Sequence, residues 1–241
     1  MERNHDLRGL AFYFADCPSP EHPMNHCFEA DGIQLSFGLR QILSDVYLKC
    51  ESGSVCGLLG RNGQGKSCLM NLIYGTMKGG SRSVRIDEES VLDLHRHRHL
   101  MTFLPQFNFV PGSYRISEGF GYFGQSFADF TQIFPEFKGK ENAKFGQQSG
   151  GFQRLLEVCL IINSASKFSM LDEPFSHIMP VHVETIQDLI TSVKATKGFL
   201  ITDHLYQNII DISDKLYILE NGKVHAAASA EDLKRFTYLP V

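Results

Sequence analysis

The residues best suited to chemistry begin with a glycine-rich segment that ends in lysine and serine. Residues 60–67 read Gly-Arg-Asn-Gly-Gln-Gly-Lys-Ser and fit the phosphate-loop pattern G-x-x-x-x-G-K-[ST]. Glycines there let backbone N–H groups converge on phosphate oxygens, and the following helix adds the positive end of its dipole. Lys66 would neutralise the β- and γ-phosphates, and the Ser67 hydroxyl would ligate Mg²⁺. The alternative is a glycine-rich turn that matches by chance, and the flanking apolar strand and periodic helix argue against it.

Two acidic residues stand at the end of another apolar run. The run at residues 168–171 predicts a buried strand, and Asp172 and Glu173 follow it directly. At the carboxyl end of a strand, Asp172 is placed to hold Mg²⁺, directly or through water. Glu173 could polarise an attacking water molecule as general base. Alone, such a pair is more often the start of a solvated loop, so the phosphate loop upstream is what favours a catalytic role.

A Ser-Gly-Gly sequence at residues 149–151 precedes a predicted helix. Ser149 could cap that helix, and Gly150 and Gly151 expose backbone N–H groups that can approach an anion. A simple turn is an equally good interpretation of this segment taken alone.

The elements that must position these residues alternate between short apolar runs and helical stretches, which is typical of an α/β fold. Strands are predicted at residues 33–37, 54–59, 83–86, 101–104, 168–171, 198–202 and 215–219. Helices are predicted at residues 66–74, 151–163, 182–194 and 206–212. The dipeptide Asn221-Gly222 predicts a two-residue hairpin near the end of the chain.

A change of composition marks a separate helical lobe at about residues 107–148. Eleven aromatic residues fall in this stretch. Six phenylalanines step by three and four, which predicts one face of a helix that Pro135 ends. They are Phe120, Phe123, Phe127, Phe130, Phe134 and Phe137. The first interpretation of this stripe is the core of the lobe.

Length and composition limit the classes of protein that fit. The chain has 241 residues, of which 43% are hydrophobic and 21% charged, so wholesale disorder is excluded. The formal net charge of −4 argues against a general nucleic-acid binder. The six cysteines form no C-x-x-C pair, and we expect them to be reduced thiols. No apolar run approaches the ~20 residues that span a bilayer, and three prolines within residues 18–23 mark residues 1–28 as an N-terminal extension.

The motifs occur in the order found in the nucleotide-binding subunits of ATP-binding-cassette (ABC) transporters, which the sequence resembles over about residues 31–225. Residues 60–67 match the Walker A loop, and residues 170–174 resemble the Walker B strand with its catalytic glutamate. The remaining matches are the Q-loop at residues 104–106, the core of the signature motif at 149–151 and the switch histidine within 202–204. Residues 172–175 and 201–204 are most similar to lipopolysaccharide-export ATPases and related branches.

The resemblance implies an α/β fold with a P-loop NTPase (RecA-like) core, an antiparallel β subdomain and an inserted α-helical subdomain, all within residues 29–241. It implies ATP and Mg²⁺ as ligands, with Glu173 as the catalytic base and His204 holding the γ-phosphate or the attacking water. The residues expected at ATP are Phe37, stacked on adenine, and Gly60, Arg61, Asn62, Gly63, Gln64, Gly65, Lys66, Ser67 and Cys68. The residues expected at Mg²⁺ are Ser67, Gln106 and Asp172.

The resemblance also implies partners. In the family two subunits pack head to tail, so Ser149, Gly150 and Gly151 would bind the γ-phosphate of ATP held by a second copy. We therefore expect a homodimer, a transmembrane permease subunit docked on the aromatic helical lobe, and no nucleic acid. The expected location is cytoplasmic, on the inner face of a membrane through the permease. Two other functions stay open: a soluble ABC-type ATPase that serves a non-transport assembly, and an ATP-binding switch with weak hydrolysis.

The sequence departs from the family's pattern in three motifs. Gln148 replaces the usual leucine before Ser149, and Phe152 follows the glycines. Cys68 replaces a hydroxyl residue, and as a thiol at a helix N-terminus it is expected to have a lowered pKa. Met179 stands where the family usually has an aspartate that couples the two sites.

Overall fold

Two β-sheets and six α-helices make up the part of the chain that the computed structural model describes, which is residues 25–227 together with Leu233. In chain order the strands are β1 (Cys27–Phe37), β2 (Arg40–Glu51), β3 (Val55–Leu59), β4 (Ser81–Ile86), β5 (Glu89–Ser90), β6 (Met101–Leu104), β7 (Phe168–Asp172), β8 (Gly198–Thr202), β9 (Lys215–Glu220) and β10 (Lys223–Ala227). The helices are α1 (Lys66–Tyr74), α2 (Ile116–Tyr122), α3 (Phe127–Ile133), α4 (Gly150–Ile162), α5 (Pro180–Val193) and α6 (Tyr206–Ile210).

The chain divides into two compact units. The first unit, as far as it is described, combines Phe107–Ser164 with His177–Val193. The second combines Asn25–Gln106 and Ala165–Ser176 with the described residues from Lys194 onward. The lobe predicted at residues 107–148 lies within the first unit. Of the predicted N-terminal extension, residues 1–28, the part up to Met24 lies outside the described residues. The last two residues of that range, Cys27 and Phe28, belong to β1.

The larger sheet of the second unit has the strand order β10-β9-β3-β8-β7-β6, and all its pairs except β10–β9 are parallel. Every residue of β3, β7 and β8 is buried, as expected for central strands of a parallel sheet. In the register Leu171 pairs with Ile201, and Asp172 with Thr202. The carboxyl ends of β3, β7 and β8 therefore meet at one edge, which is where open α/β sheets place their ligands.

The smaller sheet is antiparallel, with the order β2-β1-β4-β5. The sequence predicts no strand between Phe37 and Ser54, and this is wrong, because β2 occupies most of that stretch. Its buried residues Val46, Leu48 and Cys50 alternate as a strand requires. The signal is interrupted at Asp45, whose backbone has a positive φ of 54°, and the β1–β2 register shifts in the same region.

The phenylalanine stripe does not form one helix, as was predicted, but two. Helix α2 ends at Tyr122, Gly124 adopts a φ of 67°, and the Ser126 hydroxyl accepts from the backbone N–H of Asp129 to cap α3. A left-handed glycine and a new N-cap interrupt a spacing that otherwise fits one continuous helix. None of the helices in the described ranges combines the length and apolarity needed to cross a membrane.

The stripe nevertheless supplies the core of the first unit. The Phe130 ring lies 4.9 Å from Phe120, 5.0 Å from Phe134 and 5.1 Å from Phe137, measured between ring centroids. All four side chains are at most 2% exposed. The other two phenylalanines of the stripe, at positions 123 and 127, are only partly buried. Packing within the unit is therefore the main role of the stripe.

The sequence predicts that every cysteine is a reduced thiol, but Cys50 and Cys56 lie side by side with Cα atoms 6.1 Å apart, a separation that a disulfide can bridge. Cys27, Cys68 and Cys159 remain thiols. Cys17 lies outside the described residues.

Candidate active site

The phosphate-loop segment connects β3 to α1, as the motif requires. Gly63 and Gly65 have φ values of 80° and 102°, which only glycine adopts without strain. A Cβ atom at Gly60 would lie 2.9 Å from the carbonyl oxygen of Leu219, and one at Gly65 would lie 2.8 Å from Cγ2 of Ile42. Both glycines are thus required by the fold as well as by the motif, and Ile42 places β2 against this loop.

Lys66 starts helix α1 and turns its side chain back over the loop. Its ammonium group donates to the carbonyl oxygens of Gly60 at 2.5 Å and Arg61 at 3.4 Å. The residue is only 7% exposed, and burial lowers the pKa of the ammonium group. The carboxylates of three residues act in the opposite direction, namely Glu173, Asp172 and Asp203. The basic residue of the phosphate loop and the acids that follow β7 and β8 therefore lie in one electrostatic environment.

The two acids after the apolar run differ in their surroundings. Asp172 is the last residue of β7 and is 1% exposed. Glu173 has a positive φ of 51°, and its N–H donates to the carbonyl oxygen of Thr202 at 2.7 Å. A left-handed conformation at a residue other than glycine is uncommon and is often found at functional positions. The turn ends β7 abruptly and leaves the Glu173 side chain 18% exposed.

Glu173, Ser176 and His204 form one polar set. The Ser176 hydroxyl donates to Oε2 of Glu173 at 3.1 Å and lies 3.4 Å from Nδ1 of His204. The same nitrogen lies 3.7 Å from Oε2 of Glu173. The sequence predicts roles for Glu173 and His204 but none for Ser176, because Ser176 approaches His204 only when the loops after β7 and β8 fold together.

Asp203 ties these two loops to each other. Its carboxylate accepts from the backbone N–H of Phe175 at 3.0 Å and of Leu205 at 2.9 Å, and lies 3.2 Å from Nδ1 of His204. The residue is 2% exposed, and burial raises the pKa of its carboxyl group, whereas the two N–H groups act to lower it. The sequence motifs predict no role for Asp203. The available signal was an acid directly after β8, a strand that is apolar except for Thr202.

Cys68 does not have the environment that the sequence predicted. It lies in the first turn of α1 and is partly buried. Burial raises the pKa of its thiol, and the carboxylate of Asp172 raises it further. The expected lowering by the helix N-terminus is wrong here, because desolvation and a nearby negative charge both disfavour the thiolate.

Phe37 and Gln106 are both exposed. Phe37 is the last residue of β1 and is 56% exposed, next to Gly38 with a φ of 59°. Gln106 follows the end of β6 by two residues. Both belong to the second unit, which also contains the phosphate loop.

The Ser-Gly-Gly sequence belongs to the first unit, where it begins helix α4. The Ser149 hydroxyl accepts from the backbone N–H of Phe152 at 3.3 Å, so it caps the helix. Ser149 and Gly150 are exposed. A Cβ atom at Gly151 would lie 2.5 Å from the carbonyl oxygen of His177, so only glycine fits there. The cap predicted for Ser149 is therefore present, with a helix N-terminus open to solvent.

The oxygen donors of the second unit suit Mg²⁺. Ser67 supplies a hydroxyl, Asp172 a carboxylate and Gln106 an amide oxygen, which are the hard ligands that this ion prefers. Among the described residues, no group of three or more His, Cys, Asp or Glu side chains could hold a metal by itself. This donor set fits an ion bound jointly by protein and phosphate oxygens, which is how Mg²⁺ usually binds in phosphoryl-transfer sites.

Comparison with known proteins gives one family match. The model of a family described as ABC transporter matches residues 43–176. One similar protein is the lipopolysaccharide export system ATP-binding protein LptB of Haemophilus influenzae, 29% identical over 85% of this chain and 91% of that protein. Another is the high-affinity branched-chain amino acid transport ATP-binding protein BraG of Pseudomonas aeruginosa, 26% identical over 80% of this chain and 89% of that protein.

Solved structures agree in fold. A structure described as an ATP-binding subunit of an ABC transporter superposes with a TM-score of 0.75 at 20% identity, over 88% of this chain and 93% of the other. A nucleotide-free ATP-binding cassette from an ABC transporter gives 0.70 at 21% identity, over 89% and 96%. Both are cassettes with the P-loop NTPase fold, so the fold predicted from the motifs is confirmed.

Proposed function

The chain belongs to the ABC transporter family of ATP-hydrolysing proteins, since the family model covers more than half of its 241 residues, and we propose that two copies of it, packed head to tail, power a membrane transporter. The observation that carries the proposal is the grouping of Lys66, Asp172, Glu173 and His204 at the carboxyl edge of one parallel sheet. Phosphate-binding, metal-binding and proton-accepting groups thus meet where nucleotides bind in such sheets.

Each residue has a definite part in ATP hydrolysis. The N–H groups of residues 60–67 cradle the phosphates, and Lys66 neutralises the β- and γ-phosphates. Bound Mg²⁺ would neutralise phosphate charge, and the residues that would hold it are Ser67, Asp172 and Gln106. Phe37 stacks its exposed ring on the adenine. Cys68 follows the loop without the hydroxyl that the family usually has.

Glu173 and His204 act on the attacking water. Glu173 is ordered by its backbone bond to Thr202 and by the Ser176 hydroxyl, so its carboxylate is fixed before the water arrives. It polarises the water as general base. His204 lies within 3.7 Å of the same carboxylate and orients the water or the γ-phosphate. An ATP-binding switch with weak hydrolysis would not require this ordered pair.

The Ser-Gly-Gly sequence supports the proposed homodimer. The exposed N-terminus of α4 offers N–H groups to an anion, and the Ser149 hydroxyl is beside them. In a two-fold dimer every contact between the copies occurs twice. In the proposed dimer, Ser149, Gly150 and Gly151 of each copy therefore contact the γ-phosphate of the ATP held by the other copy. Two equivalent ATP sites result.

The proposed partner is a transmembrane permease that docks on the first unit. This unit exposes three aromatic side chains, Phe107, Tyr114 and Tyr122, to 72%, 47% and 70%. Exposed apolar surface of this kind favours binding to another protein. Through the permease the chain would lie at the inner, cytoplasmic face of a membrane, and no nucleic acid is involved. The names of the two relatives mention lipopolysaccharide and branched-chain amino acids, so they point to no single cargo.

Mixing two inactive variants tests the head-to-tail arrangement. In a dimer of one Lys66→Ala chain and one Ser149→Arg chain, one site carries both changes and the other carries neither. Mixing equal amounts should restore up to about a quarter of wild-type ATPase activity, because half of the dimers are mixed and half of their sites are intact. Each variant alone, at the same total concentration, is the control. No restoration in a mixture shown to exchange subunits would contradict the arrangement.

A further inference from the structure

A short segment of the first unit, residues 108–110, is fastened to helix α4 by three hydrogen bonds. The amide of Asn108 donates to Oε1 of Gln153 at 2.8 Å. The backbone N–H groups of Phe109 and Val110 both donate to Oε1 of Glu157, at 2.9 and 2.8 Å. Because Gln153 and Glu157 are four residues apart on α4, they lie on the same face of the helix.

Glu157 is an unusual residue to find at this position. It is wholly buried, and burial raises the pKa of its carboxyl group, while the N–H groups of Val110 and Phe109 and the charge of Arg154 act to lower it. Burying a carboxyl group is costly unless its oxygens are hydrogen-bonded. An apolar side chain would pack here at less cost, but it would leave two backbone N–H groups without an acceptor. The carboxyl group of Glu157 therefore serves as the acceptor for the backbone N–H groups of Phe109 and Val110.

We infer that Glu157, assisted by Gln153, is a positioning residue that locks residues 108–110 to helix α4, so that this segment and the Ser149 end of the helix move as one piece. The segment follows Gln106 by two residues in sequence, and the exposed Phe107 lies between them. Helix α4 begins with the Ser-Gly-Gly sequence. A displacement of the chain at residues 107–110 is thereby passed to the residues that meet the partner's ATP. This inference rests on the proposed function.

Three variants of the full-length chain separate positioning from simple stability. Glu157→Leu removes the acceptor and keeps the side-chain volume, and Glu157→Gln keeps one oxygen that can accept from both N–H groups. Gln125→Leu is the matched control, because Gln125 donates to the carbonyl oxygen of Leu160 on the same helix at 2.7 Å without contacting residues 108–110. The measurements are amide hydrogen exchange of the peptide covering residues 107–112, the thermal midpoint, and kcat and KM for Mg·ATP.

We expect Glu157→Leu to speed exchange of residues 107–112 by about tenfold or more, since two buried N–H groups lose their acceptor. Its kcat should fall by about tenfold while KM stays within about twofold, because the residues that bind ATP in the same chain are unchanged. In Glu157→Gln the exchange rate of residues 107–112 and kcat should both stay within about threefold of the wild-type values. Gln125→Leu should lower the thermal midpoint without changing either.

Several results would contradict the positioning role of Glu157. A folded Glu157→Leu variant with raised exchange and unchanged kcat would overturn the positioning role, as would a Gln125→Leu control that loses kcat to the same extent. If Glu157→Leu does not fold, Gln153→Ala, which loses the bond from Asn108 and the bond to the carbonyl oxygen of Gln148, should lower kcat by about threefold with KM retained. An unchanged kcat there would overturn the inference. Failure of the proposed function gives a different result, namely a wild-type chain that does not hydrolyse Mg·ATP. That result would also rule out the positioning role of Glu157.

Discussion

Oε2 of Glu173 lies 3.7 Å from Nδ1 of His204, and the Ser176 hydroxyl contacts both residues. Asp203 accepts from backbone N–H groups on either side of this set, which holds the loops after β7 and β8 together. The proposed base and the proposed switch histidine are therefore parts of one hydrogen-bonded structure. A change at one of its members should affect catalysis more than nucleotide binding.

Ser176→Ala tests this coupling. Loss of a hydrogen bond to a charged carboxylate should lower kcat by about tenfold or more and leave KM for ATP within about twofold. Steady-state ATPase assays on the full chain measure both values. Ser192→Ala is the matched control, because its hydroxyl donates only to the local carbonyl oxygen of Leu189 on α5. A kcat equal to that of the wild type would show that Ser176 does not order Glu173.

Phe37→Ala tests adenine stacking. Removing the ring should raise KM for ATP by about tenfold, which corresponds to the lower part of the 1–3 kcal/mol range for base–aromatic stacking. Leu39→Ala is the control, since Leu39 is fully exposed in the turn that joins β1 to β2. Equal values of KM in the two variants would remove Phe37 from the nucleotide site.

Lys197 gives the structure a specific dependence of stability on pH. It is 2% exposed, and burial lowers the pKa of its ammonium group from 10.5 to about 7. Between these two values the unfolded chain holds a proton that the folded chain has released, so the contribution of Lys197 to the free energy of unfolding rises with pH. Below pH 7 the folded chain bears the full cost of the buried charge.

Lys197→Met removes that contribution. Urea unfolding at pH 6, 7, 8 and 9 should show the variant gaining most over the wild type at pH 6, with the difference shrinking as the pH rises. Lys194→Met, which changes a lysine that pairs with Asp214 at 2.8 Å on the surface, is the control. A difference between wild type and Lys197→Met that is the same at every pH would contradict the lowered pKa.

The sequence predicts most accurately those helices and strands whose ends are marked by residues that start or stop them, such as glycine. Helix α1 was predicted at residues 66–74 and is found at Lys66–Tyr74, because Gly65 and Gly75 bound it with left-handed backbones. Strand β2 was missed because Asp45, a residue type disfavoured in strands, interrupts the alternation between the buried residues Leu43 and Val46. The spacing of the phenylalanines fits one continuous helix. The chain forms two helices instead, because Gly124 adopts a left-handed backbone and Ser126 caps a new helix.

The site shows the same limit. Motif order located the phosphate loop, the two acids and His204, since each follows a strand that the sequence reveals. The hydrogen bonds of Ser176 and Asp203 join loops that are 28 residues apart in the chain, and only the parallel register of β7 and β8 brings them together. The thiol of Cys68 was misjudged because its burial and the charge of Asp172 are consequences of the tertiary structure.

The most direct test of the account is the Mg·ATP turnover of the Glu173→Gln variant, with ATP affinity measured by calorimetry on the same preparation. The amide keeps the shape of the side chain and leaves the phosphate loop intact, but it cannot accept a proton from water. We predict that turnover falls by at least about a hundredfold, the usual contribution of a general base, while ATP affinity is retained. Turnover close to that of the wild type would contradict the assignment of Glu173, and with it the active site proposed here.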